Sequence, residues 1–464
     1  MSKSIFGIIG LGVMGKSISL NIAEKRFNLS VYNRAEGNEK HVVNDFLSIN
    51  QTFKNIKGFT DLDTFVNSLE QPRKILLMIP AGKPVDIVIN KLIPLISEGD
   101  VIIDGGNSHY INTKRSIEML KSKNIDFLGA GFSGGEAGAR KGPSIMPGGS
   151  KEGYKKVSKI LETLAARDFQ GNPCCTYIGP EGAGHYVKMV HNGIEYAEMQ
   201  LLAELFALMS RSMSYEKISE MFSSWNQGSL SSYLLEITAE ILLKKDGDHY
   251  VIDLILDKAG NKRTGAWSSS SALELGVPNT MMSASVFARY ITSFKDKRVE
   301  FSKRIEVQSN SILNLKFEDL KRAYQLARIV NYHQGFELMS VASKHFNWNL
   351  NLSEIARIWT NGCIIKSTLM ENCVSIFRSS ESVLDDSIIF SSTSEYEQSI
   401  ASVLKEGIST RIALPCFQAA YNYWISITTN RLPANIIQAQ RDYFGAHTYQ
   451  RIDSPLHKFF HTNW

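Results

Sequence analysis

Residues 184–196, Gly-His-Tyr-Val-Lys-Met-Val-His-Asn-Gly-Ile-Glu-Tyr, carry a lysine, a histidine, an amide and a glutamate at helical spacing. On a helix, side chains three, four and seven positions apart share a face, so Lys188, His191, Asn192 and Glu195 line up. Such a row suits proton transfer to and from a carbon skeleton, which needs groups of unlike charge within reach of one substrate. The opposite face, with Val187, Val190, Ile194 and Ala197, suits packing on a core. A solvated polar face of an amphipathic helix has the same pattern. The segment alone leaves both readings open.

Elements that would position this row begin at the N-terminus. An apolar run at 4–9 leads into Gly10-Leu11-Gly12-Val13-Met14-Gly15, a helical pattern over 16–25 and a second strand at 29–32. A glycine triplet is weak evidence by itself. Between a strand and a helix it signals a dinucleotide-binding, Rossmann-type unit, with the pyrophosphate at the helix N-terminus. An acidic residue after the second strand would suit the ribose hydroxyl of NAD; here stand Asn33, Arg34 and Ala35. The arginine suits a 2′-phosphate, which favours NADP, although an ordinary surface arginine would look the same. Further strands at 74–79, 101–104 and 126–130 run into the small-residue loops 81–84, 104–108 and 131–140. Such loops expose backbone N–H groups that can cradle anions.

After Ile178 the pattern turns helical, over 182–212, 228–244, 268–275, 281–293, 317–346 and 412–428. The expected fold is α/β followed by all-α. Residues 1–178 should form a doubly wound, cofactor-binding sheet domain, 179–431 an all-helical domain, and 432–464 a C-terminal tail. The 464 residues are 43% apolar and 21% charged with a net charge of +5, a balance that suits an anionic metabolite and not nucleic acid. Five cysteines without zinc-ligand spacing indicate a reduced, cytoplasmic chain with no metal site. No run is apolar enough for a membrane span, and the N-terminal strand is not expected to be a signal peptide.

Taken together, three strings resemble the 6-phosphogluconate dehydrogenase family of decarboxylating enzymes. They are His185-Tyr-Val-Lys188-Met-Val-His191-Asn192-Gly-Ile-Glu195-Tyr196, Asp104-Gly-Gly-Asn107-Ser, and Gln440-Arg441-Asp442-Tyr443-Phe444-Gly445-Ala446-His447-Thr448-Tyr449. The resemblance spans essentially the whole chain. It implies NADP-dependent oxidative decarboxylation of 6-phosphogluconate to ribulose 5-phosphate in the pentose phosphate pathway. Lys188 would be general base and then acid, and Glu195 the acid that protonates the enediol. Gly10 to Gly15, Asn33, Arg34, Ala35, Ile79, Pro80, Ala81 and Asn107 would hold the cofactor. Asn107, Ser133, Gly134, Gly135, His191 and Asn192 would hold the substrate carboxylate end. Tyr196, Lys262, Arg289, Arg441 and His447 would hold its phosphate, the last two from the second subunit of a homodimer.

The chain departs from the family pattern in places. Ala35 replaces a usual threonine, and Pro80 replaces a lysine that would add a cation near the cofactor. Arg289 and Lys262 would also pass as ordinary surface charges, His185 as a packing residue, and Trp267 and Trp359 as core. Two rival functions remain at this level. One is a β-hydroxyacid dehydrogenase for a small unphosphorylated acid; the other is a catalytically silent NADPH-binding protein.

Overall fold

The computed structural model describes residues 3–260, 264–306 and 315–464. Seven strands build the N-terminal sheet: β1 (Phe6–Ile9), β2 (Leu29–Tyr32), β3 (Ile56–Phe59), β4 (Lys74–Leu77), β5 (Val101–Asp104), β6 (Asp126–Phe132) and β7 (Ile145–Gly149). Their order is β3-β2-β1-β4-β5-β6-β7, parallel except for β7, which runs antiparallel to β6 with Gly131 opposite Met146. The chain leaves β1 for β2 on one side, and β4 lies on the other. This reversal opens a crevice beyond the carboxyl ends of β1 and β4, the usual ligand position in such sheets.

The connecting helices are α1 (Val13–Glu24), α2 (Val42–Ile49), α3 (Leu62–Asn67), α4 (Lys83–Leu92), α5 (Tyr110–Lys121), α6 (Gly135–Lys141) and α7 (Lys151–Leu164). Continuous apolar strands such as Ile75, Leu76 and Leu77 are fully buried, because helices cover both faces of the sheet. Two strands escape the sequence reading. β3 is short and lies at one edge. β7 reads Ile-Met-Pro-Gly-Gly, a turn-like string whose proline is tolerated because β7 lies at the other edge.

Helix α8 (Ala183–Met209) starts the second region. Its first turns lie directly on β6 and β7: a Cβ on Gly184 would stand 2.4 Å from the carbonyl oxygens of both Gly129 and Met146. On its other sides α8 packs against helices Thr264–Leu275, Thr280–Thr292 and Phe317–Phe346. The helical expectation holds for these segments, with two small corrections. The hairpin Lys245–Asp246/His249–Tyr250 interrupts the helices, and the pair Tyr449–Gln450/Phe459–Phe460 orders the tail. All five cysteines are free and buried. Among the described residues no helix is long and apolar enough to cross a membrane.

Candidate active site

Lys188 leaves α8 towards β6 and passes where Gly131 has no side chain. A Cβ on Gly131 would lie 2.3 Å from Lys188 Cβ and 2.8 Å from its Cγ. The lysine is only 6% exposed. One turn on, the His191 imidazole is fully buried. Its Nε2 lies 3.0 Å from Ser133 Oγ, at the end of β6. Its Nδ1 lies 3.2 Å from Asn192 Oδ1, 3.4 Å from Lys188 Nζ and 3.6 Å from Glu195 Oε2. Asn192 donates to Thr264 Oγ1 at 3.2 Å. Trp359 meets the imidazole edge-on at 5.4 Å and is buried, as core.

The row is therefore not a solvated face. β6 and β7 cover one side of α8 and three helices cover the others, so both the polar and the apolar stripe are enclosed. Burial, then the Lys188 charge, push the His191 pKa well below 6.5 and keep the ring neutral. A neutral ring can accept from or donate to its neighbours without adding a second charge beside the lysine.

The Ser133-Gly134-Gly135 loop bends through left-handed backbone, with φ of 104° at Gly134 and 62° at Gly135. A side chain at Gly134 would also strike the Gly362 carbonyl at 2.6 Å. His185 does more than pack. Its Nδ1 lies 2.6 Å from Thr113 Oγ1 and its Nε2 3.1 Å from the Asp104 carbonyl oxygen. It ties the end of β5, and with it the Gly105-Gly106-Asn107 loop, to α8. Its place three residues before Lys188 is the only sequence signal for this role.

Arg289 sits over the Tyr196 ring, Cζ 3.6 Å from the centroid, and donates to the Gly260 carbonyl at 3.2 Å. That places a guanidinium beside Glu195 and Tyr196, on the side of α8 that faces helix Thr280–Thr292. Lys262 lies outside the described residues. Arg441 and His447 belong to the exposed tail. Arg441 donates to Gln438 Oε1 at 3.2 Å, and His447 packs edge-on to Phe444. Neither joins the Lys188 cluster within one chain. The tail folds on Asp442, a residue the sequence reading passed over. Its carboxylate accepts from Thr448 N, His461 Nδ1, Thr462 N and Trp464 Nε1 at 2.9–3.0 Å.

The glycine loop is shaped for a dinucleotide. Gly10 has φ of 102°, and Gly15 packs so closely that a Cβ there would lie 1.9 Å from the Gly10 carbonyl oxygen. A Cβ on Gly12 would meet nothing within 4 Å, so backbone is open to an approaching group. Asn33 Oδ1 accepts from Leu11 N at 3.0 Å and fixes the loop to the end of β2. Two cavities meet at Gly12, Met78, Ile79 and Pro80. One, of about 530 Å³, is walled by Tyr32, Asn33, Arg34, Glu36, Glu39 and Lys91. The other, of about 690 Å³, is walled by Val13, Met14, Ala81, Asn107, Phe132 and Trp267. Ala35 is exposed next to the first. The groove suits an extended dinucleotide with its ribose end at Arg34 and its reactive end near Phe132, one residue from Gly131 and the Lys188 stem. Trp267, expected in the core, is half-buried: it packs against the hydrophobic core and also walls the groove, its ring edge-on to His109 at 4.9 Å. Helix Thr264–Leu275 carries it across from the helical region, an approach that periodicity cannot reveal.

A family model for the NAD binding domain of 6-phosphogluconate dehydrogenase matches residues 5–179, and one for the C-terminal domain of 6-phosphogluconate dehydrogenase matches residues 184–464. A Lactococcus lactis protein named 6-phosphogluconate dehydrogenase, decarboxylating, is 44% identical over 478 residues, covering 100% of this chain and 99% of its own. A Staphylococcus aureus protein of the same name is 45% identical over 467 residues, covering 99% and 98%. The Plasmodium falciparum 6-phosphogluconate dehydrogenase, solved in its apo form, with its cofactor NADP+ and with its substrate 6-phosphogluconate, matches with a TM-score of 0.92 at 40% identity. That match covers 99% of this chain and 100% of that one.

Proposed function

The chain belongs to the 6-phosphogluconate dehydrogenase family, and on that premise we propose how its own residues divide the work. The reaction is the oxidative decarboxylation of 6-phosphogluconate to ribulose 5-phosphate and CO2, with NADP reduced to NADPH. Bound NADP supplies the hydride acceptor.

Lys188 Nζ takes the proton of the substrate 3-hydroxyl as hydride leaves C3, which gives a β-keto acid. The lysine, now an ammonium, donates to the new ketone oxygen. The bond from C2 to the carboxylate breaks, and its electron pair becomes the enediol double bond. Glu195 gives a proton to the carbon that lost CO2, and Lys188 recovers the enol proton as the ketone forms. Neutral His191 holds Lys188 and Ser133 in one arrangement.

Ser133, Gly134, Gly135, His191 and Asn192 receive the substrate carboxylate end, with Asn107 between substrate and cofactor. Tyr196, Lys262 and Arg289 receive the phosphate end. Arg441 and His447 complete it from a second subunit of a homodimer. The exposure of Ile436, Ile437, Tyr443 and Phe444 on the tail supports this, because an unpartnered apolar surface of that kind is normally covered. The domains follow as 1–178, 179–431 and 432–464, and the enzyme is cytoplasmic.

One observation carries this reading: Lys188, His191, Asn192 and Ser133 form one buried polar cluster beside the groove that suits the cofactor. It is tested by following NADPH and CO2 with 6-phosphogluconate and, in parallel, with unphosphorylated gluconate. The reading predicts equal NADPH and CO2 and a strong preference for the phosphorylated acid. NADPH without CO2, or equal rates with both acids, contradicts it.

A further inference from the structure

The ribose end of the groove carries more negative charge than a phosphate-selective pocket needs. Arg34, the cation expected to take a 2′-phosphate, is already engaged. Its Nε donates to Glu39 Oε2 at 3.0 Å and its Nη2 to Glu39 Oε1 at 3.0 Å. This is the two-point fork by which a guanidinium grips either a carboxylate or a phosphate. Asn33 Nδ2 donates to the same Glu39 Oε2 at 3.0 Å, so the carboxylate is held by both residues of the Asn33-Arg34 pair. Glu36 Oε2 lies 3.9 Å from Arg34 Nη1.

Among the described residues, the cavity wall thus carries Arg34 and Lys91 against Glu36 and Glu39, with no net charge to receive a dianion. Residues 79–81, Ile-Pro-Ala, add no cation. The pair is also exposed, with 62% of the Arg34 and 42% of the Glu39 side chain accessible. An exposed ion pair is weak enough for a phosphate to displace. A carboxylate at this point is moreover the acceptor that an NAD ribose hydroxyl uses.

We infer that Glu39 is a specificity-determining residue. It competes with the 2′-phosphate of NADP for Arg34 and accepts the ribose 2′-hydroxyl of NAD, so that this protein binds NAD alongside NADP. The inference rests on the family reading that this cavity takes the adenosine ribose.

Calorimetric titration of NADP, NAD, 2′,5′-ADP and 5′-ADP onto the wild type, Glu39→Gln, Glu39→Ala and Glu36→Gln tests it, with kcat/KM for both cofactors measured beside it. Freeing Arg34 from a charged partner should tighten the two 2′-phosphorylated ligands by about three- to fivefold in both Glu39 variants, without tightening NAD or 5′-ADP. Glu36→Gln should shift them less. In the wild type, the NADP and NAD dissociation constants should lie within about tenfold. Unchanged NADP-to-NAD and 2′,5′-ADP-to-5′-ADP ratios in both Glu39 variants overturn the inference, as does a wild type that binds no NAD. Glu39 lies in an exposed turn, so its variants should fold. If 6-phosphogluconate is oxidised with neither cofactor, the family reading fails, while the fragment titrations still decide the role of Glu39.

Discussion

Gly131→Ala puts a methyl group where the Lys188 stem runs. The new Cβ would lie 2.3 Å from Lys188 Cβ, 2.8 Å from Cγ and 3.3 Å from Cδ. Carbon atoms pack at about 3.5–4.0 Å, so the lysine stem or the strand must yield by more than about 1 Å. β6 is bonded on both sides, to β5 and to β7, so the lysine should move. A misplacement of about 1 Å at a reacting group costs roughly a hundredfold in rate, or about 2.7 kcal/mol of barrier. Overpacking of this kind also destabilises by about 1–3 kcal/mol. Steady-state kinetics with 6-phosphogluconate and NADP should therefore show kcat down about a hundredfold, with the NADP dissociation constant almost unchanged. Thermal melting reports the stability cost separately. Gly228→Ala is the control, because its nearest neighbour would be a carbonyl oxygen at 3.9 Å. A Gly131→Ala enzyme with kcat within about twofold of wild type would refute the claim that this glycine sets the lysine's position.

Other expectations concern proton transfer, the tail and acid stability. Glu195→Gln should leave the hydride-transfer burst in rapid-mixing absorbance but slow the release of ribulose 5-phosphate; an unchanged overall rate would remove Glu195 from the protonation step. Asp442→Ala should free the tail, seen as faster proteolysis after residue 432, and lower kcat/KM for 6-phosphogluconate while the sheet domain still binds NADP; an equally protected tail would contradict the anchoring role. Burial lowers the His333 pKa from 6.5 to about 4, between Tyr423 Oη and Ser382 Oγ. Once unfolded, the imidazole takes up a proton that the folded state refuses, so its share of stability is present above about pH 6.5 and lost as pH falls towards 4. The loss is on the order of 3 kcal/mol. His185 and His191, also held down by burial, act in the same sense. Urea unfolding at pH 7 and 4.5 should show a smaller difference for His333→Gln than for wild type; equal differences would count against the assignment.

The glycine triplet and its flanking patterns located β1, α1 and β2 because those features are local. The spacing of Lys188, His191, Asn192 and Glu195 predicted one helical row for the same reason. Burial of that row was not legible, since a lysine, a histidine and a glutamate on a helix match a solvated face until β6 and β7 are seen to cover it. Gly131 looked like a loop glycine, and only the crossing of β6 by α8 assigns it to the lysine stem. Trp267 does pack on the core, but nothing in its own segment shows helix Thr264–Leu275 also reaching the cofactor groove. The hold of Glu39 on Arg34 depends on the turn Gly37–Glu39, which folds the chain back on itself. The tail's polar string gave no hint that Asp442 gathers donors from residues 448, 461, 462 and 464.

Lys188 as the group that moves the substrate proton is the central proposal. Lys188→Ala should be titrated calorimetrically with NADP and 6-phosphogluconate and then assayed for NADPH and CO2. Cofactor and substrate affinities should stay within about threefold of wild type, and kcat should fall by about a thousandfold or more. A variant that binds both ligands and turns over within about tenfold of wild type would contradict that proposal.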